Sequence, residues 1–330
     1  MINNPKISII IPTLNQGRFI EETILSILNQ SYKNFEIIII DGASTDNTLS
    51  VIKKYESKIY KWLSEKDKGQ SNAINKGLQF ITGDIVTWLN SDDRYEPDAL
   101  QIIKDEFVND PDAKIVHGKT HLFGEYTKSK IVGLEKGIPL HDYLAYMRFP
   151  QPSSFLRKEL LNSNNPVNED LHFAMDFELI ARAILLGAKI KRIDGLLSHY
   201  RLHKDSKSNH DLKFLEEWAI VVHNILISLN ENIFAKKMME LGLVKPIKIN
   251  EFKITIRLNK EAIESIFLQH LNLHYHYNYR LFNYAACAQI NTYLKKNYAS
   301  FYLTNNYNKY EFRRKFIPKF VLKILRGLNN

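Results

Sequence analysis

Sulfur is scarce in this chain of 330 residues, with five methionines and one cysteine, Cys287. A single thiol permits no internal disulfide, so packing must hold the fold, and a reducing compartment suits it. Long apolar runs are missing as well. No stretch approaches the roughly 18 to 20 residues that cross a bilayer. The start, Met1-Ile2-Asn3-Asn4-Pro5-Lys6, lacks the charged-then-apolar pattern of a signal peptide. A cytoplasmic protein is expected, at most peripheral on the cytosolic face of the inner membrane. Two phosphate-binding signatures are absent too. The first apolar run is followed by Pro12-Thr13-Leu14-Asn15-Gln16-Gly17, which is not G-x-G-x-x-G, and no G-x-x-x-x-G-K-[ST] occurs. That argues against a dinucleotide-dependent dehydrogenase and a Walker-type NTPase.

What is present is ordinary for a globular chain: 45% hydrophobic and 25% charged residues. The length allows a large core and roughly two domains. Net charge is +9, which favours polyanions such as nucleotides, nucleic acid or anionic lipid. The excess is concentrated at the end. From Phe301 onward, Lys309, Arg313, Arg314, Lys315, Lys319, Lys323 and Arg326 are opposed only by Glu311.

Periodicity gives the organisation. Ile7 to Ile11, Phe35 to Ile40, Ile59 to Leu63 and Ile85 to Leu89 read as strands. Their continuous apolar character suits parallel strands covered on both faces. Between and after them, Arg18–Asn29, a segment from Asp46, Ser71–Phe80 and a segment opened by Pro97 show helical spacing. Strand and helix thus alternate from Ile7 to Phe107, the pattern of an α/β, doubly wound, mostly parallel sheet. Further on, Ala174 to Leu186 reads as a helix ended by Gly187, while Lys189–Ile193 and Leu196–Arg201 read as two short strands. The polar stretch Lys204 to His210 reads as a linker between residues 1–209 and a mainly helical region, 210–330.

The post-strand loops carry the chemistry. Asn90-Ser91-Asp92-Asp93 follows a buried strand, and adjacent carboxylates repel unless a divalent cation relieves them. Asp41 and Asp67 stand in two other loops on the same expected edge, where open α/β sheets bind ligands. A fold requires no such gathering of acids, so we read it as a site.

Several segments resemble family 2 of the inverting glycosyltransferases, with the GT-A fold. They are Ser8-Ile9-Ile10-Ile11-Pro12-Thr13-Leu14-Asn15-Gln16, Ser26-Ile27-Leu28-Asn29-Gln30-Ser31-Tyr32, the run from Phe35 to Thr48, the run from Asp67 to Gly77, and Asn90 to Asp93. The order and spacing are similar to the subgroup that builds bacterial O-antigen and capsule chains, and the likeness covers about residues 6–205. It implies a Rossmann-like sheet flanked by helices, with a helical C-terminal extension. It implies a nucleotide-diphosphate sugar donor, UDP-linked by preference, a Mn²⁺ or Mg²⁺ cofactor, and a lipid-linked or growing glycan as acceptor. One sugar would be transferred, because the membrane spans and Q-x-x-R-W segment of processive synthases are absent.

Carried onto this sequence, the resemblance makes Asp93 the metal ligand, with His203 beside it, and puts Asp92 nearer ribose or donor sugar. Thr13, Asn15, Asp41, Asp67, Asn75 and Arg201 are the other expected donor contacts. Asp176, in Met175-Asp176-Phe177-Glu178, matches the base that removes the acceptor proton, and its place at a helix start favours a carboxylate. Where many members have two aspartates, this chain has Asp41-Gly42. Two other readings remain at this stage. A basic nucleic-acid- or polyanion-binding protein would account for the C-terminal charge but not the acidic loops, and we expect no nucleic-acid partner. A sugar nucleotidyltransferase would need a glycine- and arginine-rich N-terminal loop that is not here. For the C-terminal region we expect an amphipathic helix from about Pro318, with a stripe of Val321, Leu322, Ile324, Leu325 and Leu328. It is a candidate for contact with an anionic membrane or for homo-oligomer formation.

Overall fold

The computed structural model describes residues 3–125, 127–161, 166–245 and 250–325. The first half alternates as expected: β1 (Ile7–Thr13), α1 (Ile20–Leu28), β2 (Phe35–Asp41), α2 (Thr48–Lys54), β3 (Lys61–Ser64), α3 (Gln70–Leu78) and β4 (Ile85–Trp88). Then come β5 (Arg94–Tyr95), α4 (Ala99–Asn109), β6 (Ala113–Phe123), β7 (Lys130–Val132), β8 (Ser154–Arg157), α5 (Met175–Leu185) and β9 (Lys189–Arg201). The helical region holds α6 (Asp211–Ser228), α7 (Asn232–Glu240), α8 (Lys260–Arg280), α9 (Tyr284–Asn297), α10 (Ala299–Thr304), α11 (Tyr307–Phe316) and α12 (Lys319–Leu325).

One sheet runs in the order β3-β2-β1-β4-β8-β6-β9-β5, with β7 beside β6. The β3-β2-β1-β4 portion is parallel, and β8 joins it antiparallel. The apolar strands are buried on both faces because their alternate residues enter different cores. Ile10 packs with the helical side, whereas Ile7, Ile9 and Ile11 pack against α1 and α4. The parallel order brings the ends of β1, β2, β3 and β4 to one edge, which positions the loops that follow them.

Three expectations need correction. Lys189–Ile193 and Leu196–Arg201 are one continuous strand, β9, which passes Asp194-Gly195 opposite an irregular register in β6. The crossing is tight: a Cβ on Gly118 would lie 2.6 Å from the Gly195 carbonyl oxygen, so glycine is required there. Second, the stretch Lys204–His210 is not a free linker. Ser206 Oγ accepts from His203 N at 2.8 Å, and Asn209 Nδ2 donates to the His203 carbonyl at 2.9 Å. Nor does residue 210 begin a separate core, because Ile10, Ile38 and Val86 share one buried cluster with Ala219, Val222, Phe267 and Tyr307. Third, of the expected stripe on α12, Leu322 is buried and Val321 half-buried. Leu328 and the side chains of Ile324 and Leu325 lie outside the described residues. Nearby, Phe312, Phe316 and Phe320 are exposed, at 60%, 69% and 65%.

Candidate active site

The strand-end loops open onto a cavity of about 1150 Å³. Thr13, Asp67, Asn90 and Asp92 line it from the sheet edge, and Asp176, Lys207 and Trp218 line it from the segments that follow.

The acidic motif is a turn, closed by Asp93 N donating to the Asn90 carbonyl at 3.0 Å. A turn sends neighbouring side chains different ways, and here it separates the two aspartates. Asp93 is 1% exposed. Its Oδ1 accepts from Arg201 N at 2.9 Å and its Oδ2 from Asn90 Nδ2 at 3.3 Å. Burial, and then the charge of Asp92, push the Asp93 carboxyl well above the usual carboxylate range. Asp93 was the expected metal ligand, yet its carboxylate anchors β9 and is not among the groups lining the cavity. Asp92 is, and its Oδ2 lies 3.0 Å from His203 Nε2. His203 Nδ1 accepts from Asp205 N at 3.3 Å, which leaves Nε2 to face Asp92. With Nδ1 accepting, Nε2 carries the proton that faces Asp92. Asp92 thus offers the carboxylate oxygen that fits Mn²⁺ or Mg²⁺, and His203 would join it as a ligand only after giving up that proton. Among the described residues no group of three His, Cys, Asp or Glu side chains forms a cage, so such an ion needs oxygens from substrate or water.

The other expected donor contacts divide. Thr13 lines the cavity, and among the described residues neither its buried Oγ1 nor the nearby Trp88 Nε1 has a hydrogen-bond partner. Buried polar groups of this kind call for a ligand or water. Asp67 also lines the cavity, with Oδ1 accepting from Gly69 N at 2.8 Å. A Cβ on Gly42 would lie 2.8 Å from Asp67 Oδ2, so the missing second aspartate leaves room for Asp67.

Asp41 does not reach the cavity. It is fully buried and accepts from Ser44 N at 3.0 Å, from Ser64 Oγ at 2.6 Å and from the Ser44 hydroxyl. Asn15, at φ 52°, pins neighbouring loops together, its Oδ1 accepting from Thr45 N at 2.8 Å. Asn75 is turned away to Val167 and Glu169, exchanging two hydrogen bonds with the Val167 backbone. Arg201 acts as a brace and is not among the residues lining the cavity. Its Nε donates to the Asp92 carbonyl at 3.0 Å, a terminal nitrogen meets Glu22 at 2.6 Å, and its guanidinium lies over Phe19 and Phe123. These four residues shape the loops that carry Asp67 and Asp92.

Asp176 lines the cavity at the second position of α5. Burial raises its carboxyl above the usual range, against the opposing effect of the Phe177 N–H and the Lys207 charge. Sequence reasoning missed two groups around it. Lys207 lines the cavity and donates to Gln70 Oε1 at 2.9 Å, while Gln70 Nε2 donates to Asn90 Oδ1 at 2.6 Å. Burial lowers the Lys207 ammonium, with Asp176 and Glu217 acting the other way. Glu217, on α6, accepts from His172 N at 3.0 Å, Phe173 N at 2.6 Å and Ala174 N at 2.8 Å. This carboxylate caps the entry to α5 from 43 or more residues away in sequence, and no local signal announces it. Lys207 falls in the polar stretch Lys204 to His210, which reads as a linker, so Arg201 and His203 just before it drew the assignment.

The model for glycosyl transferase family 2 matches residues 8–182. A Haemophilus influenzae protein named as a glycosyltransferase is 30% identical over 254 residues, covering 74% of this chain and 94% of that protein. Escherichia coli chondroitin synthase is 26% identical over 235 residues, which is 68% of this chain and 33% of the synthase. The mannosyltransferase PcManGT from Pyrobaculum calidifontis, solved with GDP-Man and Mn²⁺, shares the fold at a TM-score of 0.55 and 17% identity, covering 94% of this chain and 84% of that one. The sheet with its helical flanks is the GT-A fold, and the chain belongs to glycosyl transferase family 2.

Proposed function

We propose that this glycosyltransferase inverts: it moves one sugar from a nucleotide-diphosphate sugar to a hydroxyl of a lipid-linked or growing bacterial glycan in a single displacement. The observation that carries the reading is one cavity lined by Asp92, the Lys207 ammonium and the Asp176 carboxyl, with His203 Nε2 3.0 Å from Asp92. Departure of a nucleoside diphosphate needs positive charge, and attack by a hydroxyl needs a base. Asp92 and His203 would hold Mn²⁺ or Mg²⁺, which when bound supplies charge to the diphosphate. Lys207 adds a second cation at the same cavity. Asp67 and Thr13 accept and donate hydrogen bonds at the nucleoside side. Asp176, made more basic by burial, takes the acceptor hydroxyl proton.

Support for the donor class comes from the mannosyltransferase solved with GDP-Man and Mn²⁺, and support for a glycan acceptor from the chondroitin synthase. The family resemblance favours uridine. No helix among the described residues is long and apolar enough to cross a membrane, so contact with a lipid-linked acceptor would be peripheral, through the basic C-terminal segment. Calorimetry with UDP and GDP, each with and without Mn²⁺, tests the donor half. Binding should strengthen with Mn²⁺ in the wild type and lose that gain in Asp92→Ala. Equal Mn²⁺ dependence in the variant would overturn the assignment of Asp92.

A further inference from the structure

We propose that the aromatic row leading from the base into the helical region is the acceptor subsite, and that it holds a pyranose ring by stacking. The proposal rests on the transferase reading of the same cavity. Phe173, Phe214, Trp218 and Tyr277 all line that cavity. Their rings follow one another, with centroids 5.1 Å apart for Phe173 and Phe214, 5.7 Å for Phe214 and Trp218, and 6.3 Å for Trp218 and Tyr277. Three of the four belong to α6 and α8, beyond the family match that ends at residue 182.

Aromatic side chains normally hide such area in a core. Here the row is left beside open volume. Trp218 Nε1 is buried and, among the described residues, has no hydrogen-bond partner. A buried donor calls for an acceptor, and Trp218 stands on the cavity wall. A pyranose meets both demands. Its axial C–H face is apolar and flat enough to lie on rings, and its rim carries hydroxyl oxygens that can accept from an indole N–H. A polyprenyl chain would cover the rings but leave the N–H unpaired.

The position assigns this ring to the acceptor rather than the donor. Asp67, Asp92 and Thr13, the donor contacts, come from the sheet edge. The row instead starts three residues before Asp176, which must meet the acceptor hydroxyl. It is also fixed to the base mechanically. Glu217, the residue before Trp218, accepts from the N–H groups of His172, Phe173 and Ala174. One α6 turn therefore sets both the base and the indole.

The test is saturation-transfer NMR on the full chain with Mn²⁺ and saturating UDP or GDP. The probes are methyl glycosides of glucose, galactose, mannose, N-acetylglucosamine, N-acetylgalactosamine and glucuronic acid. At least one glycoside should show transfer concentrated on the C–H protons of one ring face. Trp218→Leu should cut that signal at least fivefold, and Trp218→Phe, which keeps a ring and loses the N–H, should cut it less. Nucleotide affinity should stay within twofold in both, which also reports folding. Should Trp218→Leu lose nucleotide binding, Trp218→Phe and Phe214→Leu carry the test by the same criterion. No glycoside signal in a wild type that binds nucleotide, or an unchanged signal in the variants, overturns the subsite while leaving the donor reading intact. Failure of nucleotide binding in the wild type overturns the donor reading instead.

Discussion

The two sides of this cavity are built by different means. The sheet-edge side is made of short loops after parallel strands, and each loop is locked by its own hydrogen bonds: Asp41 to Ser44 and Ser64, Asn15 to Thr45, Asp93 to Arg201. Its acids reach the cavity only at Asp67 and Asp92. The helical side has no such ladder of strand ends. It relies on one carboxylate, Glu217, to hold the start of α5, and on rings from α6 and α8 to give the wall. The comparison teaches a division of labour. The loops at the sheet edge are written in local motifs, whereas Asp176 and the aromatic wall depend on a long-range clamp.

The largest expected effect breaks the helical side alone. Asp176→Asn should lower transfer about 100-fold or more, the usual cost of losing a general base, with UDP affinity unchanged. The same variant should raise the thermal midpoint at neutral pH. The folded carboxyl titrates above its unfolded value, so burying it favours folding below the unfolded pKa, and that stability is lost as pH rises through the raised pKa. An amide removes the loss. For the same reason, wild-type transfer should climb with pH through a value above that of an ordinary carboxylate, and the climb should be absent in Asp176→Asn. Transfer at the wild-type rate would assign the base elsewhere.

Glu217→Ala sharpens the comparison without touching the base. Three backbone N–H groups lose their acceptor, which should cost about 1 kcal/mol of stability, as for a lost helix cap. A displaced Asp176 should slow transfer by roughly tenfold. Calorimetry should find UDP binding within twofold of wild type. A parallel loss of nucleotide affinity would mean that the clamp serves both sides.

Gly42→Asp probes the opposite side. The new Cβ would sit 2.8 Å from Asp67 Oδ2, and a second carboxylate would repel Asp67. Nucleotide affinity should fall about tenfold, equivalent to about 1.4 kcal/mol. Affinity equal to wild type would show that Asp67 makes no nucleoside contact.

These contrasts also explain what was legible in the sequence. The parallel sheet was, because apolar runs such as Phe35–Ile40 have one stable use, between two layers. The acidic loops were, because sheet topology carries them to one edge. Which aspartate of Asp92-Asp93 faces the cavity was not, since that depends on how the turn rotates and on Arg201 N more than a hundred residues away. Asp41, Asn75 and Arg201 have the right chemistry for a ligand and spend it on Ser44, Val167 and Glu22. The continuity of the core through Phe267 and Tyr307 was hidden too, because helical periodicity marks a buried face but not its partner.

The smallest expected effect concerns the far end of the helical region. Phe312 and Phe316 are exposed one turn apart on α11, with ring centroids 5.0 Å apart, and Phe320 is exposed beyond Pro318. Arg313, Lys315 and Lys319 flank them. Exposed aromatics among basic residues fit the interface of an anionic membrane, where each cation adds about 1 kcal/mol at most. Truncation is a poor test, because Glu311 and Leu322 in the same segment are buried and Glu311 meets Tyr275 at 3.2 Å. Substitution of Phe312, Phe316 and Phe320 by Ser leaves those contacts alone. Flotation with vesicles containing anionic lipid should recover the wild type and markedly less of the triple variant, with UDP affinity the same in both. Equal recovery would rule the anchor out. A concentration-dependent mass that disappears in the variant would assign the same phenylalanines to a second copy of the chain.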